Sequence, residues 1–365
     1  MTTGTAGTAQ AAPADPRPAP PAWAHGPAAA IAGAARGATG VAVALRHGDR
    51  RAVLTYGSTA RGGGSPVTAA TRFETGSLSK CFTALLLAEL AARGEVSYDD
   101  PLTRFLPKGT VPAPRGGPIT LLHLATHTSG LPRLPPGLLA GAVPRWFTNP
   151  YAGFRTDDLL RALARTRLSA PPGERVRYSN FGVGLLGHLL ARAVPGRRGY
   201  GELLADRVLD PLGLYGTTCA PGAPQATGHL HGRPRPPWRI PGLAPAGVIR
   251  STAGDLLTLL DALLDPPTGP GTAPMPLGTA LADVVRPRLA LPGGTRQLAL
   301  VWNIRVRPDG DVYHHSGGTR GFTAFAGFCP YHRTAVAALA NTGPTVGQRF
   351  IQSAYQALLS LPKRS

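Results

Sequence analysis

The chain has 365 residues and a formal net charge of +19, from 38 lysine and arginine residues against 19 acidic ones. This length predicts one large domain or two closely joined domains, and a hydrophobic content of 43% indicates a packed core rather than global disorder. No apolar run is long enough to predict a membrane-spanning helix. The three cysteines are far apart and follow no metal-binding spacing.

The positive charge is almost entirely arginine, because the only lysines are Lys80, Lys108 and Lys363. The arginines are spread along the whole chain in a background rich in Ala, Gly and Pro, without a basic–aromatic cluster or a nucleic-acid-binding motif. We therefore attribute most of the charge to compositional bias and expect no nucleic-acid partner.

The first elements in chain order are a leader, a hairpin and a helix. Residues 1–26, rich in Pro and Ala, are predicted to be flexible, and they lack the apolar stretch of a secretory signal. We therefore expect a cytoplasmic protein with no membrane partner. Residues 40–45 and 52–56 predict a β-hairpin, and a nearly all-apolar helix is predicted over 77–92, capped by Gly94.

The rest of the chain predicts helices and then strands. Helices are predicted over 157–165, 181–193, 255–264 and 346–361. Strands are predicted over 298–307, 311–314, 323–328 and 334–341. Strands at both ends with helices between them predict an α+β fold of the α/β sandwich type, with flanking helices on an antiparallel sheet built from both chain ends. Residues 27–80 and 290–365 would form this sheet domain. Residues 81–289 would form an inserted, mainly helical domain, with the active site between the two.

The first candidate for chemistry is the pair Ser77 and Lys80. A serine hydroxyl needs a neighbouring base to act as a nucleophile, and residues three apart share a helix face with Cβ atoms about 5–6 Å apart. Burial among apolar neighbours would lower the pKa of Lys80, so that its amine can be that base. Taken alone, the pair is equally consistent with Ser77 as a helix cap and Lys80 as a surface residue.

The second candidate is the segment Tyr178-Ser179-Asn180. A tyrosine beside a lysine can act as general base or acid, and the Asn180 amide can hold both Lys80 and a substrate amide. By itself the segment is more simply explained as a turn before a helix, with Asn180 as the N-cap.

The third candidate begins with His315, placed at the start of a predicted strand. His315 can donate or accept a proton, while Gly317 and Gly318 let a substrate lie against strand N–H groups that bind an oxyanion. By itself this segment is more simply explained as a glycine-rich bend with an ordinary histidine.

Together and in this order, the three segments resemble the motifs of the serine β-lactamase and penicillin-binding protein superfamily. They are most similar to the class C β-lactamase-like group, which includes esterases, D-peptidases and acyltransferases. The resemblance extends over about residues 30–361 and includes framing segments at 73–80, 94–101, 121–132, 211–214 and 246–255. It implies a β-lactamase/transpeptidase-like fold.

The resemblance also implies roles for the residues around the serine. Ser77 would be the acylated nucleophile, Lys80 its activating partner and Tyr178 a proton relay. Asn180 would orient Lys80 and the substrate. The backbone N–H groups of Ser77 and Gly318 would form the oxyanion hole.

This sequence departs from the family pattern in the third motif. His315 stands where many relatives have the lysine of a K-T-G triad, which argues against efficient β-lactam turnover. Gly317 is expected to lie against the substrate, and Arg320, where relatives often have proline, is expected to replace the missing lysine as an anion anchor.

Several other features are interpreted as structural. His127 is predicted to lie in a buried scaffold turn. No third ligand accompanies His123 and His127, so no metal is expected. Cys81 is assigned to packing. The proline-rich loop 232–239 can recognise an acidic substrate, although a solvated loop is the simpler interpretation.

The leading hypothesis is an acyl-transfer enzyme that works through a covalent acyl-Ser77 on a small ester, amide or thioester, without a cofactor. It would be an esterase, or a biosynthetic transacylase of secondary metabolism, passing the acyl group to water or to an amine or alcohol. One alternative is a hydrolase of β-lactams or D-aminoacyl peptides, and another is a silent binding module on the same scaffold. The oligomeric state is not predicted.

Overall fold

The computed structural model describes residues 21–113, 115–138, 149–196, 199–266 and 275–361. The β-strands of these residues are β1 (Gly40–His47), β2 (Arg50–Gly57), β3 (Phe73–Glu74), β4 (Gly228–Leu230), β5 (Arg233–Arg235), β6 (Arg250–Ser251), β7 (Leu289–Ala290), β8 (Arg296–Leu298), β9 (Asn303–Arg305), β10 (Val312–Gly318), β11 (Thr323–Cys329) and β12 (Thr334–Ala340). The α-helices are α1 (Ala22–Ala34), α2 (Ser79–Ala92), α3 (Leu121–Ala125), α4 (Thr156–Ala164), α5 (Asn180–Ala193), α6 (Tyr200–Leu204), α7 (Ala244–Gly247), α8 (Ala253–Leu264), α9 (Met275–Val284) and α10 (Phe350–Ser360). Short 3₁₀ turns cover Gly76–Leu78, Leu102–Arg104 and Pro241–Leu243, and a π-helical turn covers Ala205–Leu209.

The main sheet has eight antiparallel strands in the order β2-β1-β12-β11-β10-β9-β8-β7. Strand β1, from the start of the chain, pairs along its length with β12, from the end, with Val41 opposite Ala340 and His47 opposite Thr334. The predicted antiparallel sheet built from both chain ends, with helices flanking it, is therefore confirmed. The division at residues 80 and 290 stays a prediction.

The two faces of this sheet enter two separate apolar layers, because successive side chains of a strand point to opposite faces. On β1, Val41, Val43 and Leu45 belong to the layer under α1 and α10. Ala42 and Ala44, between them, belong to the larger core shared with the helices that follow β2 in the chain. A central strand covered on both faces has the near-continuous apolar sequence seen here.

Helix α1 begins inside the stretch that the sequence predicts to be a flexible leader. It starts at Ala22, and Ala24, Ala28 and Ile31 are fully buried in the layer with α10. Gly26 and Pro27 hide this helix in the sequence, since both residues disfavour a helix interior. Residues 1–20, the rest of the predicted leader, lie outside the described residues.

Helix α2 is the central element of the helical part. Every residue from Ser79 to Leu90 is buried, as its all-round apolar pattern predicts. It packs against α5, α7 and α9, and Gly94 follows its end with a φ of +73°. The one carboxylate on the buried part, Glu89, is paired with Arg93. No helix among the described residues is long and apolar enough to cross a lipid bilayer.

Two of the strands predicted in the last third of the chain have different bounds in the structure. The strand predicted over 298–307 is split into β8 and β9, because the chain turns back at 299–302 and buries Trp302. The N–H of Ala299 donates to the Trp302 carbonyl at 3.0 Å, and Val301 has a φ of +67°. Strand β10 also runs on to Gly318, so His315 lies within a strand and not at the start of one.

Candidate active site

Ser77 lies at the start of the central helix, in the 3₁₀ turn Gly76–Leu78 that leads into α2. Strand β10 crosses directly against this turn. A Cβ at Gly317 would overlap the carbonyl oxygen of Thr75 and lie 2.9 Å from the Ser77 nitrogen. A Cβ at Gly76, whose φ is +52°, would lie 2.6 Å from the Gly318 nitrogen. The glycines therefore bring the backbone of β10 next to the serine.

Lys80 lies one helical turn after Ser77 and points back to it, as the three-residue spacing predicts. Its Nζ atom lies 3.0 Å from the Ser77 hydroxyl oxygen and donates to the Ala246 carbonyl at 2.7 Å. The side chain is fully buried, and this burial lowers the pKa of Lys80 to about 7, with the charge of Arg133 acting in the same direction. Near neutral pH a large fraction of Lys80 is therefore an uncharged amine.

Tyr178 approaches Ser77 from the other side. It lies two residues before the start of α5, and its hydroxyl donates to the Ser77 oxygen at 2.7 Å. Burial raises the pKa of Tyr178 to about 12, so the phenol keeps its proton. The Lys80 Nζ atom lies 5.0 Å from the centroid of the same ring. The serine oxygen thus contacts one group that can accept a proton and one that carries a proton to donate.

His127 supports Tyr178 in a way that the sequence analysis missed. Its carbonyl accepts the N–H of Arg177 at 2.8 Å, and its Nδ1 accepts the N–H of Ser179 at 3.2 Å. The two bonds hold the residues on either side of Tyr178, and the ring centroid of Tyr178 is 4.7 Å from that of the histidine. Burial lowers the pKa of His127 to about 3, so the ring is neutral and its Nδ1 can accept. The backbone of His127 is left-handed, with a φ of 59°.

Asn180 is the first residue of α5, and its side chain lines the cleft in front of Ser77. The N-cap is Ser179 instead, whose hydroxyl accepts the N–H of Gly182 at 2.9 Å. The described hydrogen bonds of Lys80 go to Ser77 and Ala246, not to Asn180. Asn180 therefore lines the cleft, and the contact to Lys80 that the resemblance implies is not among the described hydrogen bonds.

The third motif, which begins at His315, places a neutral imidazole and the backbone of Gly318 near the cleft. His315 is buried, its Nδ1 is 2.9 Å from the Ser316 carbonyl, and burial together with the Lys80 charge lowers its pKa to about 3. His315 therefore brings no positive charge to the position where relatives have lysine. Gly318 lines the cleft beside Ser77. Arg320 lies in the β10–β11 turn, outside the residues that line the cleft.

The cleft itself is small and mostly apolar. It has a volume of about 70 Å³ and is lined by Gly76, Ser77, Leu134, Tyr151, Asn180, Trp238, Ile240, Leu243, Ala246, Gly247 and Gly318. Tyr151 and Trp238 meet edge to face with ring centroids 5.3 Å apart. The loop 232–239 thus contributes the aromatic side chain of Trp238 to one wall of the cleft. The prolines and arginines of this loop did not indicate that role in the sequence.

A buried carboxylate fixes this wall. Glu74 on β3 accepts the N–H of Trp238 at 2.6 Å and the Thr319 hydroxyl at 2.7 Å. Arg250 on β6, opposite Glu74 in the strand pair, donates to the Trp238 carbonyl at 2.9 Å. These bonds join the loop that carries Trp238 to the turn that follows β10. They explain why two charged residues are buried beside the site.

His123 and His127, the two histidines four residues apart, make separate structural contacts. His123 accepts the N–H of Thr120 at 3.2 Å at the start of α3, whereas His127 supports Tyr178. No group of three or more His, Cys, Asp and Glu side chains suited to a metal ion occurs in the part of the chain that the structure describes.

Comparison with known proteins gives a consistent result. The family model described as Beta-lactamase matches residues 11–360. The Escherichia coli D-alanyl-D-alanine-carboxypeptidase/endopeptidase AmpH is 36% identical over 194 residues, which are 52% of this chain and 47% of that protein. Esterase EstB of Burkholderia gladioli is 32% identical over 210 residues, 54% of this chain and 51% of that protein. These matches span about half the length of both relatives.

Longer matches occur at lower identity. A Beta-lactamase of Pseudomonas fluorescens is 27% identical over 335 residues, covering 83% of this chain and 88% of that protein. The crystal structure of a class C β-lactamase from Rhodobacter sphaeroides has a TM-score of 0.74 and 26% identity, covering 91% of this chain and 98% of that one. Another class C β-lactamase, 24% identical with a TM-score of 0.75, has the same fold.

Proposed function

Because the chain belongs to the beta-lactamase family, we propose that it is a serine hydrolase that cleaves small carboxylic esters through a covalent acyl-Ser77. The observation that carries this proposal is the pair of contacts on one serine oxygen, 3.0 Å to Lys80 and 2.7 Å to Tyr178. The two partners differ in pKa, about 7 against about 12, so one can accept a proton while the other donates.

In the first step, the Ser77 oxygen attacks the ester carbonyl carbon and its proton passes to the uncharged amine of Lys80. The carbonyl oxygen becomes an oxyanion, which is stabilised by the backbone N–H groups of Ser77 and Gly318. The close approach of β10 to the Gly76–Leu78 turn supports this pairing of donors, because Gly76 and Gly317 permit a separation that side chains would forbid.

The tetrahedral intermediate then collapses. The bond between the carbonyl carbon and the leaving oxygen breaks, and the Tyr178 hydroxyl gives its proton to the leaving alcohol. The Lys80 ammonium returns the proton that it took from Ser77 to the Tyr178 oxygen, so the site ends neutral with an acyl ester on Ser77. Water, activated through Lys80 in the same way, attacks this ester and releases the acid.

The lining of the cleft supports an ester rather than a β-lactam as the preferred substrate. Leu134, Tyr151 and Trp238 favour a small apolar acyl group. His315 is neutral, so it cannot hold a substrate carboxylate as the K-T-G lysine of relatives would. An amine or alcohol that enters the cleft in place of water would receive the acyl group, which is the transacylase form of the same chemistry.

A labelling experiment tests the proposal against the alternative of a silent binding module. A fluorophosphonate phosphonylates an activated serine, so we expect labelling of the protein and loss of 4-nitrophenyl acetate hydrolysis with the same time course. Ser77→Ala should abolish both. Ser65→Ala removes an exposed serine with no described side-chain hydrogen bond and should change neither. Labelling that persists in a folded Ser77→Ala protein would refute the assignment of Ser77.

A further inference from the structure

Position 315, where many relatives have a lysine, is a histidine in this chain. The Lys80 amine is fully buried and already contacts Ser77 and the Ala246 carbonyl. His315 is buried and uncharged at neutral pH. Neither residue therefore offers an exposed positive charge to a substrate.

Arg133 provides such a charge. The residue is exposed, and its guanidinium carbon lies 5.2 Å from the centroid of the Tyr178 ring, within the range of a cation–π contact. Its carbonyl accepts the N–H of Asn180 at 3.0 Å, which fixes residue 133 against the start of α5. The next residue, Leu134, lines the cleft. Among the described residues, no aspartate or glutamate forms an ion pair with Arg133.

From this geometry we infer that Arg133 forms an anion-binding subsite that recognises a carboxylate on the leaving group of the substrate. The inference rests on the proposed function, in which Tyr178 gives its proton to the leaving oxygen. A guanidinium packed on the Tyr178 ring is then next to the departing part of the substrate. Its planar, fixed donors suit a carboxylate, which accepts two parallel hydrogen bonds.

This assignment replaces the anion anchor that the sequence predicts at Arg320. Arg320 lies in the turn between β10 and β11, beyond Gly318. Neither Arg320 nor Arg133 is among the residues that line the cleft. Arg133 contacts a residue that touches the serine oxygen directly. Arg177 offers a matched comparison, since it is also exposed and precedes Tyr178 in the chain, but it makes no described contact with the Tyr178 ring.

Two acetate esters that differ only in the leaving group test this subsite. The probe 3-acetoxybenzoate carries a carboxylate, and 3-acetoxybenzamide is its neutral counterpart; both give the same acetyl-Ser77. We expect wild-type kcat/KM to favour the carboxylate ester by about tenfold, the size of one charge-assisted contact at a partly exposed site. This ratio should fall towards one in Arg133→Met, partly recover in Arg133→Lys, and decrease with added salt.

The ratio cancels any effect of Arg133 on Lys80 that acts on both esters alike. Arg177→Met removes the same charge at a similar place in the chain and should keep the wild-type ratio. A wild-type ratio of one, a ratio unchanged in Arg133→Met, or an equal fall in Arg177→Met or Arg320→Met would overturn the inference. Turnover of the neutral ester shows in each case that the serine chemistry is intact. Wild-type protein inactive on both esters would refute the proposed function, and this inference with it.

Discussion

Replacing Lys80 by arginine separates the charge of the side chain from its ability to accept a proton. Arginine stays protonated at every working pH, whereas burial lowers the pKa of Lys80 to about 7. Lys80→Arg therefore keeps a cation beside Ser77 but removes the base. Loss of a positioned general base lowers a rate by about 10²- to 10⁴-fold, and we expect a fall of that size in the acylation rate.

The same reasoning fixes the pH dependence in the wild-type protein. Below pH 7 the amine is protonated and cannot accept the Ser77 proton, so kcat/KM should fall about tenfold per pH unit on the acid side. It should level off above pH 7, where Lys80 is uncharged. Tyr178, with a pKa of about 12, keeps its proton over this whole range and adds no second limb near neutrality.

The assay is stopped-flow release of 4-nitrophenol from 4-nitrophenyl acetate between pH 5.5 and 9. Lys108→Arg is the control, because Lys108 is an exposed lysine that does not line the cleft, so the variant should retain wild-type activity. Circular dichroism shows whether Lys80→Arg folds; if it does not, Lys80→Gln replaces it. A folded Lys80 variant with more than a tenth of the wild-type acylation rate would refute the role of Lys80 as base.

Substitutions at three further positions, Tyr178, His127 and Gly317, test the surroundings of Ser77. Tyr178→Phe removes the proton donor but keeps the ring, and should lower kcat on 4-nitrophenyl acetate by about 10²-fold with little change in thermal stability. His127→Asn keeps an acceptor for the Ser179 N–H and tolerates a φ of 59°, so this variant should retain most of its activity. His127→Ala loses the acceptor, and its kcat should fall about tenfold with KM little changed. Equal kcat values in the two variants would contradict the role of His127 in positioning Tyr178. Gly317→Ala should abolish fluorophosphonate labelling, since its Cβ would overlap Thr75, whereas Gly33→Ala on α1, with no atom within 4 Å, should leave labelling unchanged.

Local patterns predicted the elements that carry the site. The all-apolar pattern after Ser77 predicted a buried helix, and the spacing to Lys80 predicted their contact, because both depend only on helix periodicity. The hairpin of β1 and β2 and the strands β11 and β12 followed from short apolar runs between turns. The segments with Tyr178 and Gly318 were candidates because of their residue types, and the family resemblance implied their roles. The structure brings both residues next to Ser77.

The missed features depend on contacts between distant parts of the chain. His127 is 51 residues from Tyr178, and nothing in its own segment indicates that two of its atoms bind the N–H groups on either side of that tyrosine. Trp238 lies in a loop rich in proline and arginine, and its place beside the cleft depends on bonds to Arg250 and to Glu74, which is 164 residues away. Helix α1 is covered by α10, a contact that its own sequence does not indicate. Gly26 and Pro27 disfavour a helix, so the local pattern predicted a flexible leader instead.

The central claim is that Ser77 becomes covalently acylated, and intact-protein mass spectrometry tests it most directly. The wild-type protein is mixed with 4-nitrophenyl acetate or a longer-chain 4-nitrophenyl ester and quenched in acid within the burst phase. We predict a mass increase equal to the acyl group of each ester, mapped by peptide sequencing to Ser77 and absent from folded Ser77→Ala. Ester turnover without any adduct on Ser77, or an adduct that persists in Ser77→Ala, would contradict the account.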